Sequence, residues 1–380
     1  MSGVEVSVAL RELVGREFPI VRERAYLNGA QQGLLPVRSV EAVKAAAEEC
    51  LRPDLESPPY EQVAREKLAR LIGAKPEEIA FTSNTTHGMN IAVQGIAWRD
   101  GDNLVVPFRE FPSLSVAMLH LRDRGVDVRL APFSGAGPTV DDLMKHVDNR
   151  TRAVVCSSVT WDSGYRADLE TLGARCADAG CLLIVDGIQL VGASQLDVKA
   201  ARISAMSMHG YKWLLSVFGV AALYVAPEAI DQISPTFVGA ESVGDWDGIA
   251  RGDLTWKAGA GRYQAGSSNK IGLAALSTSL GLIEEVGIDV IAERNRMLGE
   301  RLYAGLRSKE NVETISSDDA ARRSQIIVFT LGTPDRDKEM VEKLDEQGIV
   351  ICQRTLGLRA SPNFYNSEED IDRLLAALPD

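Results

Sequence analysis

"MHGYKWLLSVFGVAALYV", residues 208–225, places a single lysine between two aromatic residues at the edge of an apolar run. A cation beside a buried strand costs roughly several kcal/mol unless it is paired, neutralised or used. Lys212 therefore needs a chemical reason. It lies between two strand-like runs, "ISAMSM" (203–208) and "VAALYV" (220–225), and five more precede them: "EIAFTS" (78–83), "NLVVPF" (103–108), "DVRLAPF" (127–133), "AVVCSSV" (153–159) and "CLLIVD" (181–186). Helix-like stretches such as "PSLSVAMLHLRDRG" and "ADLETLGARCADAG" alternate with them, the latter closed by a glycine. Runs apolar on both faces predict an α/β fold with a mainly parallel sheet covered by helices, whose ligands gather at the carboxyl ends of the strands. From about residue 256 the pattern changes to a long helix, "NKIGLAALSTSLGLIEEVG", then "SQIIVFTLG", "KEMVEKLDEQGIVIC" and "SEEDIDRLLAAL". The expected division is a large domain over 20–255 and a small α+β C-terminal domain over 256–380, with residues 1–19 packing on the small one.

The 380 residues are 45% hydrophobic and 25% charged, enough apolar mass for a large core. The net charge of −12 argues against a general nucleic-acid grip and suits a soluble metabolic enzyme. The opening "MSGVEVSVALREL" lacks a basic leader followed by an apolar stretch. Nowhere does the chain approach the ~18 apolar residues of a spanning helix. A cytoplasmic protein with no membrane or nucleic-acid partner is expected. The five cysteines form no C-x-x-C pair and have no histidines at ligand spacing, so reduced thiols and no metal site are expected.

The strand ends carry unusual residues. "LLIVDGIQ" finishes with Asp186, three residues before Gln189. "FTSNTTHGMN" turns from strand to helix through Asn84, Thr85 and Thr86, bringing backbone N–H groups and two hydroxyls to one spot, as an anion site requires. Singly, each has an ordinary alternative: a helix cap for Asp186, a snorkelling surface amine for Lys212, a capping motif for the threonines. The ordered set is what is specific.

On "YLNGAQQGLLP", "FTSNTTHGMN", "EFPS", "SSVTWDSGYRADLE", "VDGIQLVGA", "HGYKWLL", "QAGSSN" and "LRASPNFYNSEEDIDRLL" the chain resembles the class V aminotransferase family of pyridoxal phosphate (PLP) enzymes. That family includes cysteine desulfurases, kynureninases and isopenicillin N epimerase-like proteins. The resemblance implies PLP-dependent transferase fold type I, and a homodimer with shared active sites. It assigns Lys212 to the Schiff base with the cofactor aldehyde, Asp186 to the protonated ring nitrogen and Gln189 to the ring hydroxyl. Phe111 falls where the family stacks an aromatic ring on the cofactor; core packing is its alternative. Thr85, Thr86, His209 and Tyr211 match phosphate ligands, although many relatives have serine and histidine at the last two positions. Ser267 stands where relatives often have a threonine reaching the partner subunit's phosphate.

For the substrate, the resemblance assigns Arg359 to the α-carboxylate of an amino acid, and Asn28 to a segment near the substrate. Asn28-Gly29 is also a turn signal, and Arg354 has a surface role as its alternative. His87 and Asp162 are further acid/base groups or structural residues. One departure matters: desulfurases carry a catalytic cysteine in a loop before the carboxylate-binding arginine, and here only "TLGL" separates Arg354 from Arg359. Cys352 is expected in the strand "GIVIC", pointing into the fold. These readings put an aminotransferase first, a C–S (β) lyase or desulfurase-like enzyme second and an epimerase third.

Overall fold

The computed structural model describes residues 8–380. After a two-residue strand β1 (Ala25–Tyr26), the seven apolar runs become β2 (Ile79–Thr82), β3 (Asn103–Pro107), β4 (Asp127–Ala131), β5 (Thr151–Ser157), β6 (Leu182–Asp186), β7 (Ala205–His209) and β8 (Ala221–Val225). They form one sheet in the order β2-β8-β7-β6-β5-β3-β4. Neighbours from β7 to β4 run parallel, whereas β8 is antiparallel to both β7 and β2. The reason lies in the connection Gly210–Val220, which holds no helix and falls short of the dozen or so residues that a parallel crossover needs. Every residue of β2, β3, β6, β7 and β8 is buried, as strands covered on both faces must be. At the edge, β4 is buried only at Val128 and Ala131.

Order 7-6-5-3 puts the ends of β5, β6 and β7 side by side: Ser157, Asp186 and His209 finish their strands at one rim. The helix Thr85–Gln94 begins at the same rim, just after β2. It lies close on β7 because residue 88 is glycine: a Cβ there would stand 2.3 Å from the Ser207 hydroxyl.

The C-terminal part adds β9 (Glu313–Thr314), β10 (Ile327–Thr330), β11 (Ile349–Val350), β12 (Cys352–Arg354) and β13 (Gly357–Ala360). An antiparallel sheet runs β12-β13-β10-β9, and β11 pairs in parallel with β1. The two apolar cores do not divide at residue 256. Helix Lys270–Val286 packs on the helices Val37–Glu49 and Tyr60–Ile72 and gives Leu273, Leu276, Leu280 and Ile283 to the larger core. Ala25 and Leu27 join the smaller core with Leu302, Phe329, Leu358 and Leu374. Leu13 and Val14, expected on the small domain, belong to the larger core, and Phe18 packs on Phe364 and Tyr365. An apolar stripe shows that a helix is covered, not by which sheet. Residues 1–7 of that segment lie outside the described residues. Among the described residues, no single helix is long and apolar enough to cross a membrane.

Candidate active site

Lys212 follows β7 by a three-residue step and is 8% exposed. Its backbone is held from two sides. On one, the Gly33 N–H donates to the Tyr211 carbonyl at 2.9 Å, and a Cβ on Gly33 would stand 1.9 Å from the Lys212 carbonyl oxygen, so only glycine fits. On the other, Leu215 adopts φ +54°, unfavourable for a branched residue, and its carbonyl accepts the Ser279 hydroxyl at 2.6 Å. Ser279 is itself hydrogen-bonded to Ser39 at 2.8 Å. This packing fixes the turn that aims the lysine.

The amine faces a cavity of about 270 Å³. Eight of the expected residues line it: Thr85, Thr86, Phe111, Asp186, Gln189, His209, Tyr211 and Lys212. Asp186, at the end of β6, accepts the Ile188 N–H at 2.9 Å. Gln189 bridges Trp213 Nε1 (2.8 Å) and the Ala30 carbonyl (3.2 Å), which fixes its amide and ties "YLNGA" to the site. His209 lies 3.3 Å from the Ser83 carbonyl through Nε2, and Tyr211 stacks on Phe218 at 4.2 Å. Phe111 meets Trp161 edge to face at 5.6 Å; both line the cavity.

Arg359, 2% exposed, donates from Nη1 to the Trp161 carbonyl at 2.9 Å, while its Nε has no partner. Asn28 is buried beside Ser361, its Oδ1 also unpartnered. Arg354 reaches Gln31 and its neighbour's carbonyl. Asp162 is buried with Arg109 Nε 2.9 Å from its carboxylate, and His87 sits against Ser83 and the Phe237 ring. Neither Asp162 nor His87 lines the cavity. Ser267 lies apart, in a surface pocket with Glu61, Arg65 and Gln264. Cys352 does stand in a strand, but it is partly exposed and lies opposite Arg359 in the β12–β13 register, its Sγ 3.9 Å from the Arg359 carbonyl. It does not line the cavity. Glu110, Ser157 and Trp161 went unremarked in the sequence; the only signal for Glu110 is its place beside Phe111.

Burial pushes the Lys212 amine well below the usual lysine range, the Arg359 charge pushes it further, and Asp186 partly opposes both. Burial raises the Asp186 carboxyl against the pull of the Ile188 N–H and Lys212. His209 is lowered to about 4 by burial, with the Lys212 charge acting in the same direction. The arrangement therefore holds a neutral-prone amine and a buried acid across one slot. Free helix donors border the cavity: Asn84 Oδ1 caps the Thr85–Gln94 helix through the His87 N–H at 2.8 Å, leaving the N–H groups of Thr85 and Thr86 without intrahelical acceptors, as an anion site requires. The Thr85 hydroxyl is buried and unpartnered. These groups fit an aldehyde-bearing pyridinium phosphate.

A sequence model described as Aminotransferase class-V matches residues 59–374. The chain belongs to the class V aminotransferase family. Its cofactor is PLP and its fold is type I. Among the relatives of this class V enzyme, the "Probable cysteine desulfurase" of Methanothermobacter thermautotrophicus is 29% identical over 96% of each chain. Two solved structures concern C-DES. A lysine-to-alanine mutant with glycine covalently linked to the PLP cofactor has a TM-score of 0.87 and 25% identity, covering 95% of this chain and 98% of that one. The complex of the cystine C–S lyase C-DES with its product cysteine persulfide has a TM-score of 0.86 and 26% identity, with the same coverage.

Proposed function

We propose that this class V enzyme is a PLP-dependent C–S lyase, acting on an α-amino acid that carries sulfur on its β-carbon, and that it works without a cysteine nucleophile. This replaces the transaminase reading placed first by the sequence. The supporting observation is the β12–β13 hairpin, in which Arg354 pairs with Gly357 across Thr355–Leu356, leaving no loop to carry a mobile thiol toward the substrate. The similarity to the cystine C–S lyase C-DES favours the same reading.

When bound, PLP supplies an aldehyde for the substrate amine and an electron-poor ring that spreads the charge left at Cα. The chain's own residues do the rest. The buried Arg359 fork orients the substrate carboxylate. Lys212 Nζ, kept low in proton affinity, takes the Cα proton and can return it. Asp186 holds the proton on the ring nitrogen. Phe111 and Trp161 form one wall of the slot. Loss of the β-sulfur group then needs no further protein nucleophile. Ser267, remote from its own chain's cavity, serves the partner subunit's phosphate in a homodimer.

Incubation with cysteine and cystine, with and without an α-keto acid, tests this. Pyruvate and ammonia should appear without acceptor. Amine transfer that requires the keto acid, with no sulfur released, would restore the transaminase.

A further inference from the structure

A carboxylate unused by the chemistry above lies behind the cavity. Glu110 is 6% exposed, in the loop between β3 and the helix Pro112–Leu119. Its Oε1 accepts the Ser157 N–H at 2.7 Å, and its Oε2 accepts the Ser157 hydroxyl at 2.5 Å and the Phe111 N–H at 3.3 Å. Ser157 is the last residue of β5, in register with Asp186 on β6, and both Ser157 and Phe111 line the cavity. We propose that Glu110 is a positioning residue for the cofactor ring: one carboxylate ties the backbone that presents Phe111 to the end of β5 beside Asp186, and so sets the slot between them.

Apolar contact alone does not hold the loop there. Phe108 and Phe111 are 48% and 41% exposed, and Phe111 heads its helix without a side-chain cap, so apolar burial does not fix either residue. Its polar anchors include the Phe108 N–H on the Ala131 carbonyl, Arg109 on Asp162 and on the Gly135 and Ala136 carbonyls, and Glu110 on Ser157, and it is the last of these that reaches the end of β5. A buried carboxylate is tolerated only with its lone pairs satisfied, and here three donors from the two joined segments converge on it. Burial also pushes Glu110 up to about 7, with the Asp186 charge adding to the rise. The titratable groups that it influences or that influence it are Asp186 on β6 and Cys156 on β5. An Asp186 kept ionised by a protonated ring nitrogen thus favours the proton on Glu110. In that state the bond to the Ser157 oxygen can persist with its direction reversed, so the tie survives.

The inference rests on PLP occupying this cavity and not on which bond is broken, so the test uses no substrate. Glu110→Ala removes the group that all three donors converge on, whereas Glu110→Gln mimics the protonated carboxyl and should keep most of the tie. The loss of these bonds in Glu110→Ala predicts PLP binding weaker by about tenfold or more. The visible circular dichroism per bound cofactor, which reports ring orientation, should fall as well, a prediction specific to a slot set by the tie. Ser157→Ala removes one donor from the same carboxylate and should move both readouts the same way by less; it decides the matter if Glu110→Ala does not fold. Unchanged dichroism per bound cofactor, whether or not affinity falls, would overturn the proposal, because Glu110 would then serve the fold alone.

Discussion

Replacing Arg359 by lysine separates the fork from the charge. The guanidinium is 2% exposed, spends Nη1 on the Trp161 carbonyl at 2.9 Å and leaves Nε without a partner. A carboxylate meeting it receives two charge-assisted bonds, and the compact ammonium of Arg359→Lys offers one in the same space. Losing one such bond, at ~1.5–3 kcal/mol, lowers kcat/KM for amino acids roughly ten- to 150-fold. The charge is retained, and it is the largest influence after burial that depresses the Lys212 amine. The visible pH titration of the bound cofactor should therefore shift little in Arg359→Lys. In Arg359→Gln the amine regains proton affinity in the cofactor-free protein. Steady-state kinetics on cysteine and on the corresponding amine without a carboxylate gives the measurement. A silent Arg359→Lys, or an amine turned over as fast as the amino acid, would refute the clamp and with it the α-amino-acid substrate.

Borohydride reduction and peptide mapping should place the cofactor label on Lys212, and Lys212→Ala should lose both label and activity; a label on another lysine sinks the assignment. Cys352→Ser should keep at least about half the pyruvate release, since the lyase reading gives the thiol no step; loss of most activity would mean that Cys352 acts on the sulfur. Burial holds His209 neutral down to about 4, whereas the unfolded chain takes that proton near its ordinary value of about 6.5. The cofactor-free protein should thus lose stability as pH falls through the window between those values. Relative to His209→Gln, the loss between about pH 7.5 and 5 is roughly 2 kcal/mol, read from denaturant melts, and a pH-independent difference contradicts it.

Most of the seven strands were legible because β2, β3, β6, β7 and β8 are buried on both faces, and a strand covered on both sides must be written in continuous apolar residues. β8 was legible as a strand but not as the antiparallel member, since direction depends on whether a helix fits in the connection after Lys212. The assignment of helix Lys270–Val286 failed for a related reason. Its stripe is satisfied equally by helices Val37–Glu49 and Tyr60–Ile72 or by the small sheet, and the choice between them is made in three dimensions. At the site, Asp186, Gln189 and Lys212 stood out because polar residues at the ends of apolar runs break the pattern. Glu110 breaks no pattern: a glutamate in a loop reads as solvated until Ser157, 47 positions away, supplies its donors.

What the sequence could not express at all is that the polar residues of this rim are mutually unsatisfied. Burial drives Lys212 and Asp186 both toward their neutral forms, although the two charges attract, because the desolvation of each outweighs their pairing. The Thr85 hydroxyl and Arg359 Nε are buried without partners, while the turn after Lys212 holds Leu215 at a positive φ. A fold optimised for its own stability would pair or remove such groups. Here Thr85, Asp186 and Lys212 line one cavity, and Arg359 is near enough for its charge to act on Lys212; each lacks what a phosphate-bearing pyridinium aldehyde with an amino-acid substrate would bring: an anion for the helix N-terminus, a protonated ring nitrogen for Asp186, a carbonyl for Lys212, a carboxylate for Arg359. The unpaired polarity of the site is thus the imprint of its ligands, and the tightly packed turn around Gly33, Leu215 and Ser279 keeps the groups from collapsing onto one another in their absence.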